Sequence, residues 1–285
     1  MPLVEDNRGV KAIMCLSLLE EEWDIAIILD ACRYDTFQEV YRRYLPPGRL
    51  EKRIGASDTL DWLHSVFGKE TACDNIVYVS GHPGINGKGV VWISFNANEK
   101  FCKVYDAWFT GWDWKIGTTL PSEVVKTAFQ ARKEYPDKKM IIHFVQPHFP
   151  YRKAPCPSTY SDLKGVKGNP KLDYLAQKLF RVLGINFSRF RTIYWTIRKI
   201  LNLKCEDLNE FYWRNYTVET LRKLYRDNLE WALDYVKTIV KEFNYSKIVV
   251  TSDHGEAFGE NGEFFHLYKT KNPVVRLVPY WQYET

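Results

Sequence analysis

No two cysteines in this 285-residue chain form a C-x-x-C pair. The six thiols, at 15, 32, 73, 102, 156 and 205, therefore build neither a zinc knuckle nor a thioredoxin-type motif. Several lie beside apolar runs, where a free thiol packs as a small hydrophobe, and reduced, structural cysteines are expected. No run reaches the roughly 18 apolar residues of a membrane span. The N-terminal stretch MPLVEDNRGVKAIMCLSLLEEEWD has acidic residues where a signal peptide would be apolar, so the chain reads as cytoplasmic. Internal repeats, low-complexity tracts and recognised nucleic-acid modules are also missing, and no nucleic-acid partner is expected.

What is present is an ordinary globular balance, 45% hydrophobic and 26% charged, which argues against dominant disorder. Aromatics reach 15% with ten Trp, which suggests broad aromatic surfaces without naming a ligand. Four β-rich apolar runs stand out: DIAIIL (24–29), NIVYV (75–79), MIIHFV (140–145) and KIVVT (247–251). Three are nearly continuous rather than alternating, as suits parallel strands covered on both faces. Helical patterns fall between them, at Thr36–Tyr44, Leu60–Phe67, Ser122–Glu134 and Val218–Phe243. The alternation predicts an α/β fold with a largely parallel central sheet. Ligands of such sheets bind outside the carboxyl ends of the strands. Those ends read Asp30-Ala31-Cys32-Arg33, Ser80-Gly81-His82-Pro83, Gln146-Pro147-His148 and Ser252-Asp253-His254. Counting His143 inside its strand, four of the six histidines lie in or just after these runs, which predicts one convergent site.

Asp253 and His254 are the sharpest pair, because carboxylate and imidazole together suit Zn²⁺, Mn²⁺ and similar ions. Gly255 would permit the sharp turn that aims both at one ion. The bland reading is an Asp capping the next helix beside a bystander His. Asp30 ends a buried strand, where a lone carboxylate is costly. A metal would compensate it, and so would Arg33 or a helix N-terminus.

The stretch TSDHGEAFGENGEFFHLYK followed by VVRLVPYW resembles the C-terminal signature of sulfatase-like enzymes in the alkaline phosphatase superfamily. ILDACRYD is similar to their first strand with its D-x-x-R-x-D, and HFVQPHFPY to their mid-chain His-Pro turn. YRDNLEWALDYVKTIVKEF resembles the helix before the DHG strand; residues 152–215 lie outside the likeness. The resemblance implies a single sulfatase-like domain over 1–285, with metal ligands at Asp30, Asp253 and His254 and a divalent ion (Zn, Mn, Mg or Ca). It also implies a nucleophile on the loop after the first helix. Sulfatases carry there a Cys of a C-x-P-S-R motif, oxidised to formylglycine. This chain instead has RIGASDTLDWLHSVF, without Cys or Pro, so that mechanism is not expected.

A hydroxyl remains. Ser57 and Thr59 precede an apolar-periodic helix, whose N-terminal amides favour a developing anion. Ser, Asp and Thr are equally the preferred N-caps, and Asp58 stands between the two. Thr59, ahead of Ser57, is the expected nucleophile. His266 completes a second metal site or contacts substrate, unless it is simply a surface-loop histidine. His148 matches the family's substrate-facing His, and His82 and Arg33 are further substrate-side candidates, with Arg33 bracing Asp30. His143 and His64 read as structural.

The formal charge is +5, yet residues 152–204 hold twelve Lys/Arg against two Asp/Glu, a local +10. This basic segment, expected as a helical insertion at about 152–215, has Phe190, Ile193, Tyr194, Ile197, Ile200 and Leu201 at helical spacing among arginines. It either covers the core with its Arg facing water, or contacts a membrane surface or lipid-linked substrate through residues 176–204. The combined expectation is a metal-dependent hydrolase of a phosphate or sulfate ester. A phospho-headgroup transferase acting on a lipid-linked or glycan substrate is the first alternative, and a non-catalytic binding descendant the second.

Overall fold

Ile25, Ile27 and Leu29 pack into one hydrophobic cluster and Ala26 and Ile28 into another, so every side chain of this five-residue strand is buried. That is the physical content of a continuous apolar run: both faces of the sheet are covered. The computed structural model describes residues 13–68, 72–89, 93–154, 187–243 and 247–284. In chain order the elements begin with β1 (Ile25–Leu29), α1 (Tyr34–Val40), β2 (Arg49–Ile54), α2 (Thr59–Phe67), β3 (Cys73–Ser80), β4 (Phe101–Asp106) and α3 (Ala107–Gly111). A small pair follows, β5 (Trp112–Asp113) with β6 (Thr118–Thr119), then α4 (Pro121–Glu134) and β7 (Lys139–Phe144). Beyond residue 186 come α5 (Phe187–Ile200), α6 (Leu208–Asn215), α7 (Val218–Glu242) and β8 (Lys247–Thr251). The last elements are the pair β9 (Ala257–Phe258) and β10 (Phe264–Phe265), then α8 (Pro273–Arg276) and β11 (Leu277–Glu284).

Seven strands form one sheet in the order β2-β11-β8-β1-β7-β3-β4. β11 is antiparallel to both neighbours, and the other pairings are parallel. Ile27 lies at the centre, level with Ile142 of β7 and Val250 of β8. One face is covered by α1, α4 and α7, the other by Trp62, Leu63 and Phe67 of α2. Each such apolar side chain contributes roughly 1.5–3 kcal/mol on burial, which holds the ends of β1, β7 and β8 in fixed register. The long helix α7 is capped by Thr217, whose side chain accepts from Thr220 N, and buries Leu221, Tyr225, Leu229, Leu233, Val236 and Val240 along one stripe.

The four expected helices and four expected strands are all present. β2, β4 and β11 join them, β11 having been anticipated only through the family likeness. The first helix starts at Tyr34, two residues earlier than its pattern, and tightens into a 3₁₀ turn at Tyr41–Arg43. Cysteines 15, 32, 102 and 205 are free thiols; Cys156 lies outside the described residues, as does 155–186 of the expected insertion. The rest of that insertion packs through a third cluster, where Trp195 and Tyr212 meet Phe149, Tyr151 and Phe265. The basic helix is turned the other way from a core-covering one. Its inner face carries Arg191, Trp195 and Arg198, while Ile193, Ile197 and Ile200 are exposed.

Candidate active site

Asp30 follows β1 directly and is buried. The next residue, Ala31, has φ of 62°, a left-handed conformation unusual for a side chain with a Cβ. Its backbone is tied on both sides: Ala31 N donates to Asp253 Oδ1 at 3.1 Å, and Tyr225 Oη donates to Ala31 O at 2.7 Å. Tyr225 Oη in turn accepts from Arg33 N at 2.7 Å. At the end of β8, Ser252 Oγ donates to Leu29 O (2.6 Å) and accepts from Cys32 N (2.8 Å). The two strand ends are thus stitched together before Asp253 and His254 emerge. Gly255 N donates to Val275 O at 2.6 Å, and a Cβ on this residue would lie 2.3 Å from Val274 O. Gly255 serves this close approach of two backbones, not the left-handed turn its sequence context suggests.

The convergence expected of the strand ends is found. One ligand atom each from Asp30, Asp253 and His254 lies within 4.8 Å of the others, and all three residues are buried. Asp253 Oδ1 accepts from the amides of Ala31 and His254, which leaves Oδ2 facing the cluster. His254 Nδ1 is 2.8 Å from Gly255 O, a contact that makes Nδ1 the protonated nitrogen and frees Nε2 as a lone-pair donor. Nε2 stands 3.4 Å from Asp30 Oδ1 and 3.6 Å from Asp253 Oδ2.

Thr59 and Ser57 separate clearly. Asp58 caps α2 by accepting from Asp61 N, so neither hydroxyl is used as the cap. Thr59 Oγ1 donates to Asp253 Oδ2 at 2.8 Å and lies 3.5 Å from His254 Nε2, at the positive end of the helix. Ser57 is fully buried, donates to Asp58 and Asp61, and accepts from Lys269 N at 2.8 Å. Ser57 joins two loops; Thr59 faces the cluster.

A second cluster abuts the first. His148, Glu256 and His266 also bring one ligand atom each within 4.8 Å, and the rings of His254 and His266 are 4.4 Å apart between centroids. Glu256 is the residue the sequence reading passed over, although it stands only two positions after His254. Its Oε1 is 3.1 Å from His266 Nδ1, and its Oε2, though buried, has no hydrogen-bond partner among the described residues. His82 stays at the margin, with Nδ1 accepting from Gly84 N and its ring stacked on His143 at 6.2 Å. His143 is a core residue bonded to Tyr78 Oη. Arg33 does not brace Asp30: it pairs with Asp35 and Glu260 and donates to Glu256 O.

The electrostatics differ between the two clusters. Burial disfavours the Asp30 carboxylate, but His148 and His254 outweigh it and hold its pKa below the usual range. For His254 burial favours the neutral ring, yet Asp253 and Asp30 raise the pKa to about 10. Burial pushes Glu256 up to about 7 and, with His254 nearby, His266 down to about 3. A cation is wanted between the acids, and the residues fit a metal. Tetrahedral Zn²⁺ with ligands at about 2.0–2.1 Å separates ligand atoms by about 3.3 Å, near the 3.4 and 3.6 Å found here. Asp30 Oδ1 is buried with no hydrogen-bond partner among the described residues, as an oxygen shaped to bind an ion would be.

No protein-family model matches the sequence, nor does any curated protein at a significant level. Solved structures do match. The soluble domain of lipooligosaccharide phosphoethanolamine transferase A from Neisseria meningitidis superposes with TM-score 0.53 at 12% identity, over 91% of this chain and 75% of that one. The C-terminal periplasmic domain of EcEptC from Escherichia coli, solved as a complex with Zn, gives 0.52 at 12% identity over 96% and 77%. The chain shares the fold of these transferase domains. At this identity the likeness is one of fold. The integral membrane form of the Neisseria transferase matches at TM-score 0.51 and 12% identity over 96% of this chain, which spans about half, 49%, of its length. Within this fold both clusters occupy the carboxyl ends of β1, β7 and β8, where an open parallel sheet places its ligands.

Proposed function

We propose that this chain is a metal-dependent enzyme that cleaves a phosphate ester through Thr59. The observation that carries the reading is the Thr59 hydroxyl, donating to Asp253 Oδ2 at 2.8 Å beside the Asp30–Asp253–His254 cluster. Asp30, Asp253 and His254 would hold the divalent ion, and His148, Glu256 and His266 form a second set of donors. Bound there, a divalent ion supplies charge against the ester's non-bridging oxygens and lowers the pKa of a coordinated hydroxyl.

The chain's own groups account for the rest. Thr59 Oγ1 forms a bond to phosphorus in line with the ester oxygen that departs, and its proton leaves along the hydrogen bond to Asp253. The departing oxygen takes a proton from water, and Thr59 regains its own from Asp253 when it is released. Water then displaces Thr59 from phosphorus and completes hydrolysis. Phosphorus is preferred over sulfur because no Cys occupies the nucleophile loop, whereas a threonine does.

Transfer to an acceptor alcohol in place of water is the second reading. It is favoured by the lipooligosaccharide phosphoethanolamine transferase that shares this fold. The deciding experiment assays bis-p-nitrophenyl phosphate and p-nitrophenyl sulfate with Mn²⁺ or Zn²⁺, with and without added alcohol. Thr59→Ala is expected to lose on the order of 10³-fold or more in turnover, as removal of a nucleophile does. Ser57→Ala should keep turnover within a few fold. Cleavage of the sulfate alone would refute phosphorus chemistry, and full activity in Thr59→Ala would refute the nucleophile. Product partitioning toward the alcohol selects the transferase.

A further inference from the structure

On α5, Phe190, Ile193, Tyr194, Ile197, Ile200 and Leu201 form a stripe about 120° wide at 100° per residue. The stripe faces outward: Ile193 is 57% exposed, Ile197 50%, Ile200 76% and Leu201 62%. A soluble surface rarely leaves so continuous an apolar row uncovered. The helix is nonetheless anchored on its other side. Trp195 is buried against Trp213 and Phe265, and Arg191 lies over the Trp195 ring and donates to Phe264 O. Arg198 pairs with Glu206 and Glu210 of the next segment. The orientation is therefore set by packing, and among the described residues the apolar side is the one left uncovered.

Charge indicates what covers it. Residues 152–204 carry +10 while the rest of the chain sums to −5, and no acid occurs between Ala176 and Lys204. Lys204, just beyond the helix, is exposed, whereas Lys199 is on the anchored side, where its Nζ donates to Arg214 O at 3.3 Å. A second copy would bring this net positive charge against itself. An anionic lipid surface instead takes both features at once, the apolar row into the acyl boundary and the positive charge onto the headgroups. No helix among the described residues is long and apolar enough to cross a membrane, so the contact is one of lying on the surface.

We propose that α5 is an in-plane membrane-docking helix, seated on anionic lipid through Ile193, Ile197, Ile200 and Leu201. Trp195 packs on Phe265, the neighbour of His266, so the docked helix holds the second cluster beside the bilayer. The inference concerns a surface and stands whichever ester Thr59 attacks.

The test is sedimentation of the full chain with vesicles of phosphatidylcholine alone and of phosphatidylcholine mixed with phosphatidylglycerol. Binding is expected only to the anionic vesicles, and weaker as salt rises. Ile193→Asp/Ile197→Asp should bind on the order of 100-fold more weakly, the transfer of two isoleucine side chains. It should retain its circular dichroism and its turnover of a soluble phosphodiester. Lys204→Glu, which keeps the apolar row, should lose mainly the salt-sensitive part. No vesicle binding by the wild type, or equal binding by the double Asp variant, overturns the proposal. So does a dimer, seen by light scattering, that the same Asp substitutions dissociate, because the row would then be a self-interface.

Discussion

The two clusters at the sheet's carboxyl end are built to different standards. Asp30, Asp253 and His254 come straight off the ends of β1 and β8, are all buried, and are fixed by backbone groups: Asp253 Oδ1 by two amides, His254 Nδ1 by a carbonyl. His148 and His266 are only half-buried, come from loops, and share an acid whose Oε2 has no partner among the described residues. A preorganised first cluster suits a group whose position must not change during the reaction, whereas a looser second one suits contact with a substrate that enters and leaves. α7 supports both, Tyr225 bracing the Ala31–Arg33 turn and Asn228 the carbonyls of His148 and Pro150.

The largest expected effect breaks this comparison at its root. Asp253→Ala removes a donor that also receives the Thr59 hydrogen bond. Bound metal, read by elemental analysis of the purified protein, should fall below one ion per chain, and phosphodiester turnover should drop on the order of 10³-fold. His266→Ala should leave the first ion bound and lower turnover by about 10–100-fold, the usual scale for outlying partners of a metal site. Equal metal loss in the two variants would erase the distinction between the clusters.

A smaller effect separates bracing from chemistry. Tyr225→Phe leaves Ala31 O and Arg33 N, both buried, without their shared hydroxyl. The cost is about 1–3 kcal/mol by urea unfolding, with a loss of turnover through relaxation of the left-handed Ala31. No change in either quantity would mean that Asp253 alone holds the turn.

Much of this arrangement was legible because burial on both faces leaves a plain mark. β1, β7 and β8 are unbroken apolar runs, and the polar residue after each must have a reason to be there. β2 and β4 were missed because they are the sheet's edges: RLEKRI and FCKVYD alternate with charge and read as loop. β11 contains Pro279, which argues against a strand; it falls where β8 has already ended, since Tyr280 is level with Thr251, the last residue of β8. Within the site, the strand ends made Asp30, Asp253 and His254 candidates and the family resemblance named them as ligands, whereas Thr59 and Ser57 were hard to separate, since both sit at a helix start and only the Lys269 loop occupies one of them. Glu256 escaped notice because its direction depends on Gly255 closing against Val274. The basic helix teaches a related limit. Periodicity shows that a helix has two faces, and the packing of Trp195 decides which one is inside.

The smallest expected effect sharpens the comparison on the second cluster's side. Asp227 pairs with Arg152 Nε at 2.6 Å and with Lys153, at the point where the chain leaves the His148 turn. Burial raises the Asp227 pKa, but the hydrogen bonds and charges of Arg152 and Lys153 outweigh it and lower the value overall. A depressed carboxyl stabilises the folded state above its unfolded pKa, and that contribution is lost as pH falls through the folded pKa. The loss therefore lies on the acid side of the ordinary Asp range and is absent at neutral pH. Because Arg152 and Lys153 are 32% and 65% exposed, solvent screens the pair, and Asp227→Asn should cost no more than about 1 kcal/mol at pH 7. Metal content should not move. If Asp227→Asn instead lowered turnover as much as Tyr225→Phe, the second cluster would be as dependent on its brace as the first, and the division between a rigid centre and a looser partner would fail.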